Sequence, residues 1–308
     1  MRKGVCNITM PLLLVFVLLA CGSVTRAEST NNNQKAGARF LLRIKGTLGE
    51  RYKTEITSKS EGVTLNAPEG VTIPPHSEQI RMVVETQVEE IKSDGCIVIS
   101  QRIKQESDLV KHGANTWEFD STDPGSRKKA ENSPWFADKL KALMVTDRFT
   151  VEPTGDLQAV SSDGDTEDPS SQDALKSLIM DPRQVLPKQE VKVGDTWDMG
   201  SRSYTFPPIG RVTTTCTCVF SDIRQEGKDK TAVLQFTCNA KHEPDPESDM
   251  KYELENFKSE GAKWLSLTRG RFIFSSFKTD WTYKVTALNG EWARSHVTCE
   301  VQTKELEK

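Results

Sequence analysis

The chain has 308 residues with 41 Lys and Arg against 44 Asp and Glu, a formal charge of −3. Without Arg2 and Lys3, which fall in a removable leader, 39 basic residues face 44 acidic ones, near −5. An acidic balance excludes nucleic acid as the main partner, because a phosphate-binding face shows as a basic excess. Hydrophobic content is only 36%, yet 6 Trp, 12 Phe and 4 Tyr supply a core and exclude wholesale disorder.

The N-terminus reads as an export signal over residues 1–20. Two cations precede Met10-Pro-Leu-Leu-Leu-Val-Phe-Val-Leu-Leu-Ala20, and small residues follow. That apolar run is too short to span a bilayer core of roughly 30 Å. Leu18-Leu19-Ala20-Cys21 is similar to a bacterial lipobox, which makes Cys21 the lipidated first residue, although Leu19 is bulky for its slot. The alternative is cleavage after Ala27 and a soluble exported protein. Residues 21–38, rich in Ser, Asn and Gly, read as a polar tether.

Strand signals dominate from residue 39. Residues 39–45 form an apolar run broken at Gly46, and residues 52–58 alternate. Segments 81–91 and 96–104 flank Asp94-Gly95, the signal of a two-residue type I′ hairpin that would set 88 against 101 and 84 against 105. Met82, Val84 and Val88 then share a face with Ile97, Ile99 and Ile103. Ser133-Pro134 starts a helix with a Phe136, Leu140, Leu143, Met144 stripe. Segments 148–151 and 157–161 form a short hairpin about Pro153-Thr-Gly155. A second helix starts at Ser170 or Ser171, turns Leu175, Leu178 and Ile179 inward, and stops at Asp181-Pro182.

Beyond residue 187, segments 212–223 and 230–241 predict a long hairpin. Cys216, Cys218 and Phe220 share one face of its first arm, and Leu234, Phe236 and Cys238 one face of its second. Residues 246–261 fit either a helix or a strand. Segments 270–277 and 281–288 read as a pair of strands, and 292–303 as the last strand before a charged tail, 304–308. Gly49-Glu-Arg-Tyr52 and Gly194-Asp-Thr-Trp197 hint at two related halves, 39–187 and 188–303; reuse of the same turn chemistry explains them equally well. The expected fold class is therefore α+β: predominantly antiparallel curved sheets from two weakly related halves, with two middle helices covering a sheet face.

Tyr52 after Gly49, Trp117-Glu-Phe-Asp-Ser121, the Pro134 helix leading into Arg148-Phe-Thr-Val, Thr154-Gly-Asp-Leu157 and Val193-Gly-Asp-Thr-Trp197 form an ordered set. The set resembles an uncharacterised family of exported, β-rich bacterial envelope proteins, many of them lipoproteins. The resemblance spans most of residues 39–303. It implies export and a β-rich fold, and transfers no catalytic residue.

Enzyme motifs are missing: there is no Gly-x-Ser-x-Gly elbow, no His-Glu-x-x-His and no phosphate loop. His76, His112, His242 and His296 are too scattered for a metal site of helical or hairpin spacing. Asp163-Gly-Asp165-Thr-Glu167-Asp168 has the alternating oxygens of a calcium loop but lacks its glycine and its closing glutamate. It reads better as an acidic loop before a helix N-terminus. An exported chain sees oxidising surroundings, so a thiol pair is expected. Cys238 faces Cys216 if the hairpin turns about Gly227 and Cys218 if it slips by one pair; a tighter loop sets it against Thr214 and forbids both. Trp197 and Trp281 are the ligand-binding candidates, provided they are exposed. No cofactor or metal is called for. The function expected is a non-enzymatic envelope lipoprotein, membrane-held through Cys21, presenting a β-rich surface to a protein partner or an apolar ligand. The alternative is a periplasmic carrier of lipid or another hydrophobic ligand, and behind it an extracytoplasmic hydrolase.

Overall fold

The computed structural model describes residues 38–131, 140, 143–163, 186–206, 209–226 and 229–307. Cys21, the leader and most of the two expected middle helices lie outside them. Six strands make up the first half: β1 (Arg51–Asn66), β2 (His76–Ile91), β3 (Ile97–His112), β4 (Asn115–Asp120), β5 (Asp147–Val151) and β6 (Leu157–Ser162). The second half is β7 (Thr196–Phe206), β8 (Gly210–Glu226), β9 (Asp229–Pro244), β10 (Met250–Ser266), β11 (Arg271–Ala287) and β12 (Trp292–Leu306).

All twelve strands belong to one antiparallel sheet, ordered β6-β5-β3-β2-β1-β12-β11-β10-β9-β8-β7, with β4 beside β3. The helical content among the described residues is small, chiefly α1 (Pro124–Ala130), whose N-cap Asp123 accepts from the Gly125 and Ser126 amides. The α+β expectation is thus overturned: the fold is nearly all antiparallel β. The reason is strand length. Most strands run 15 to 17 residues, about three times the usual length, because each finds partners on both sides. Residues 246–261, open between helix and strand, enter β10. Segments 270–277 and 281–288 are one unbroken strand, β11, and Lys304 and Glu305 of the expected tail pair within β12.

Each half is a meander, and β1 pairs with β12 to join them. The sheet curls until its edges approach. Arg202 of the edge strand β7 forms a 3.0 Å ion pair with Asp156, beside the other edge strand, β6. Residues 39–45, expected as a strand, make one bridge, Phe40 with Val191, and otherwise fill the curl. There Leu42 is fully buried in one apolar cluster that joins Val88, Ile99 and Phe149 of the first half to Phe220, Leu234 and Phe236 of the second. Apolar burial across both halves drives this closure.

Candidate functional site

One row of directly opposed residues crosses five strands: Phe119, Asp108, Ile80, Ser58 and Val301. All five line a cavity of about 810 Å³. Leu109 adds apolar wall, and Asp123, Ser126 and Lys129 of α1 close one side. Asp108 is only 4% exposed and sits between Ile80 and Phe119 on the sheet. The wall also holds Glu118, Asp120, Asp123 and Glu300 against Lys59, Arg81 and Lys129. Two of those cations are drawn elsewhere, Lys59 by Glu61 and Arg81 by Glu55. Glu300 in turn is drawn to Lys278, so the cavity is mainly polar, with an acidic excess and an apolar strip of Ile80, Leu109, Phe119 and Val301. That arrangement suits a molecule with an apolar body and a cationic or hydroxylated head.

The sequence candidates scatter over the molecule. Cys216 and Cys238 are directly opposed and bonded, with Cα atoms 4.1 Å apart. Cys218 faces Phe236 instead and stays a buried thiol, as do Cys96 and Cys299. Burial pushes the Cys218 and Cys299 thiols up to about 12, so neither is a nucleophile at neutral pH. Trp281 is 1% exposed and belongs to the core with Val285 and Val297, which removes it as a ligand candidate. Trp197 is half-buried on β7 opposite Cys218 and packs against the main core. Neither tryptophan lines the 810 Å³ cavity.

The four histidines fall into three settings. His76 and His112, expected to be scattered, are direct cross-strand partners with ring centroids 5.9 Å apart. Burial and the neighbouring imidazole lower His76 to about 4. His296 Nε2 lies 2.9 Å from Asp280 Oδ1, and no serine joins that pair among the described residues. His242 Nε2 lies 3.0 Å from the Ile209 carbonyl oxygen, a backbone contact. No group of three or more His, Cys, Asp and Glu gathers as metal ligands among the described residues. Of the acidic segment 163–168 only Asp163 is described, and its carboxylate accepts from the Thr146 amide.

The cavity had no signal in the sequence because its row needs the register of four successive strands, β1 to β4, and the pairing of β1 with the distant β12. Only α1 had a local signal, Asp123 as N-cap followed by Pro124. No protein-family model and no curated protein matches the chain. Among solved structures it is similar to DynF from the dynemicin biosynthesis pathway of Micromonospora chersina, at 6% identity over 92% of each chain. The TM-score there is 0.18, which carries no argument about fold or function.

Proposed function

We propose that this protein is a non-enzymatic binding protein of the cell envelope, held by lipid on Cys21, that takes a small amphipathic molecule into its sheet cavity. The observation that carries the reading is the cavity itself: about 810 Å³, inside the 300–1,000 Å³ range of small-molecule sites, with an apolar strip beside the buried Asp108 and an acidic rim. Carriage of a lipid with a cationic or hydroxylated head is the form of this reading that the acidic wall favours.

Native mass spectrometry of the mature protein, purified without denaturant, tests it. A bound species is expected, and Leu109→Trp, which narrows the cavity from a half-buried position, should remove it while leaving the melting temperature within a few degrees. If no species is retained, and no amphipathic amine or alcohol raises the melting temperature, the reading is wrong. Anchoring is checked separately: Cys21→Ser should release the protein from membranes, since lipid is its only attachment in this reading.

A second reading, a surface for a protein partner, has its own support. Leu65, Leu288 and Trp292 are exposed together around the turns that follow β1 and β11. The tether joins the chain ahead of β1, whose 16 residues extend up to roughly 50 Å to the turn that carries Leu65. An anchored protein would hold that apolar end away from its membrane. Replacing Leu65, Leu288 and Trp292 together by Ser should then abolish partner capture and leave ligand retention intact.

A further inference from the structure

We propose that His76 and His112 form a two-imidazole site for one divalent transition-metal ion of the copper, nickel and zinc class, at the end of the β2–β3 hairpin. They are direct partners in the antiparallel register, His76 opening β2 and His112 closing β3. Their ring centroids are 5.9 Å apart, with planes tilted by 57°. Metal–nitrogen bonds of about 2.0–2.1 Å put two imidazoles on one ion with centroids roughly 4.5–6 Å apart. The observed spacing falls inside that window, so small ring rotations bring both nitrogens to one ion.

The backbone holds the pair in place. Pro74 and Pro75 precede His76, and the Gly113 amide after His112 donates to the Pro75 carbonyl at 2.9 Å. Gly113 has φ of 59°, and a Cβ there would meet Pro74 Cβ at 3.0 Å. The β3–β4 turn is thereby pressed against the two prolines. Neutral imidazole is the form that ligates, and it suits copper, nickel and zinc better than calcium or magnesium. Both side chains are half-buried, which leaves the remaining coordination positions to water or an outside ligand. This site is separate from the cavity and does not rest on the proposed binding function.

The test titrates the chelator-stripped mature protein with Cu²⁺ and with Ni²⁺ at micromolar concentrations, following heat and, for Cu²⁺, the electron paramagnetic resonance spectrum. One ion per chain is expected, with nitrogen hyperfine structure from two imidazoles. His76→Ala and His112→Ala should each weaken it at least tenfold, while His242→Ala and His296→Ala leave it unchanged. Binding that survives both of the first two replacements, or no binding at all, overturns the proposal. If either variant loses its circular dichroism, wild-type NMR decides. Cu²⁺ must then broaden the His76 and His112 ring resonances first, and broadening confined to other residues overturns the site.

Discussion

His76 illustrates how one side chain couples the fold to pH. Its folded pKa is about 4 and its ordinary value 6.5, so the folded state refuses a proton that the unfolded chain accepts. Stability contributed by neutral His76 is fully present above about pH 6.5 and is lost as pH falls from there toward 4. His76→Gln should flatten that part of a curve of melting temperature against pH, and leave the neutral region little changed. Cysteines give a second residue-scale outcome. The Cys216–Cys238 bond encloses a sequence separation of 22, which corresponds to about 3 kcal/mol in the chain-entropy account. Replacing both by Ser should lower the urea-unfolding free energy by about that much. Cys218 and Cys299, buried and held as thiols, should resist iodoacetamide in the native protein and react once it unfolds.

At the scale of elements, small departures from regular pairing decide which faces meet. In β8 and β9 the hairpin loop sets Glu226 against Asp229, and with no irregularity that register would put Thr217 opposite Cys238. A shift between Phe220 and Asp222 leaves Ser221 as an extra residue, its hydroxyl donating to the Val233 carbonyl at 3.0 Å. Beyond it, Cys216 faces Cys238. The first hairpin differs likewise from its expected form. Lys92 donates its amide to the Cys96 carbonyl, and only Gly95, at φ of 87°, is left-handed, so the loop has three residues rather than a type I′ pair. That loop alone would put Val88 opposite Ser100; a further register shift between Val88 and Glu90 sets Val88 against Ile99 and Val84 against Ile103, while Met82, Val84 and Val88 still share the buried face. In β10, Gly261 lies opposite both Phe236 and Phe277, whose rings meet edge to face at 6.0 Å. A Cβ at Gly261 would come within 2.6 Å of both residues. Gly261→Ala should therefore cost about 1–3 kcal/mol, seen as an earlier urea midpoint with an unchanged slope.

The whole molecule depends on the seam between its halves. Arg271 of β11 reaches Glu50, just before β1, and Glu305 of β12, at 2.8 Å for the latter. Its guanidinium lies 4.4 Å from the Tyr52 ring centroid. Burial pulls the Arg271 pKa down, but its hydrogen bonds with Glu305 and Glu50 outweigh that and raise it overall. Burial also pushes the Tyr52 phenol up to about 12, so Tyr52 stays neutral in this cluster. Arg271→Ala removes this partner from Glu50 and leaves Glu305 with Arg269 alone, at 2.8 Å, and should cost about 3 kcal/mol. Chemical denaturation should show one transition if the seam unites both halves, and this variant is the one expected to split it into two. The cavity is a product of the same scale, since Ser58 and Val301 meet only where β1 pairs with β12.

Alternation of apolar and polar residues was enough to identify the β2–β3 and β8–β9 hairpins, the β5–β6 turn at Gly155 and the buried faces of each arm. Those features are local: a side chain's face follows from a two-residue period, and a turn from a few backbone angles. Tertiary structure alone decided the rest. Whether residues 246–261 become strand depends on partners on either side, and so does whether β11 runs through without a break. The bulge at Ser221 chose among registers that the apolar pattern allowed about equally, because each satisfied the same faces. His76 and His112 stand 36 residues apart in number, and only the accumulated register of a long hairpin makes them neighbours. The cavity row draws on residues from 58 to 301, brought together by the pairing of the first long strand with the last. Long-range pairing leaves no periodic trace in the chain, since either half presents the same alternating pattern whatever strand lies beside it.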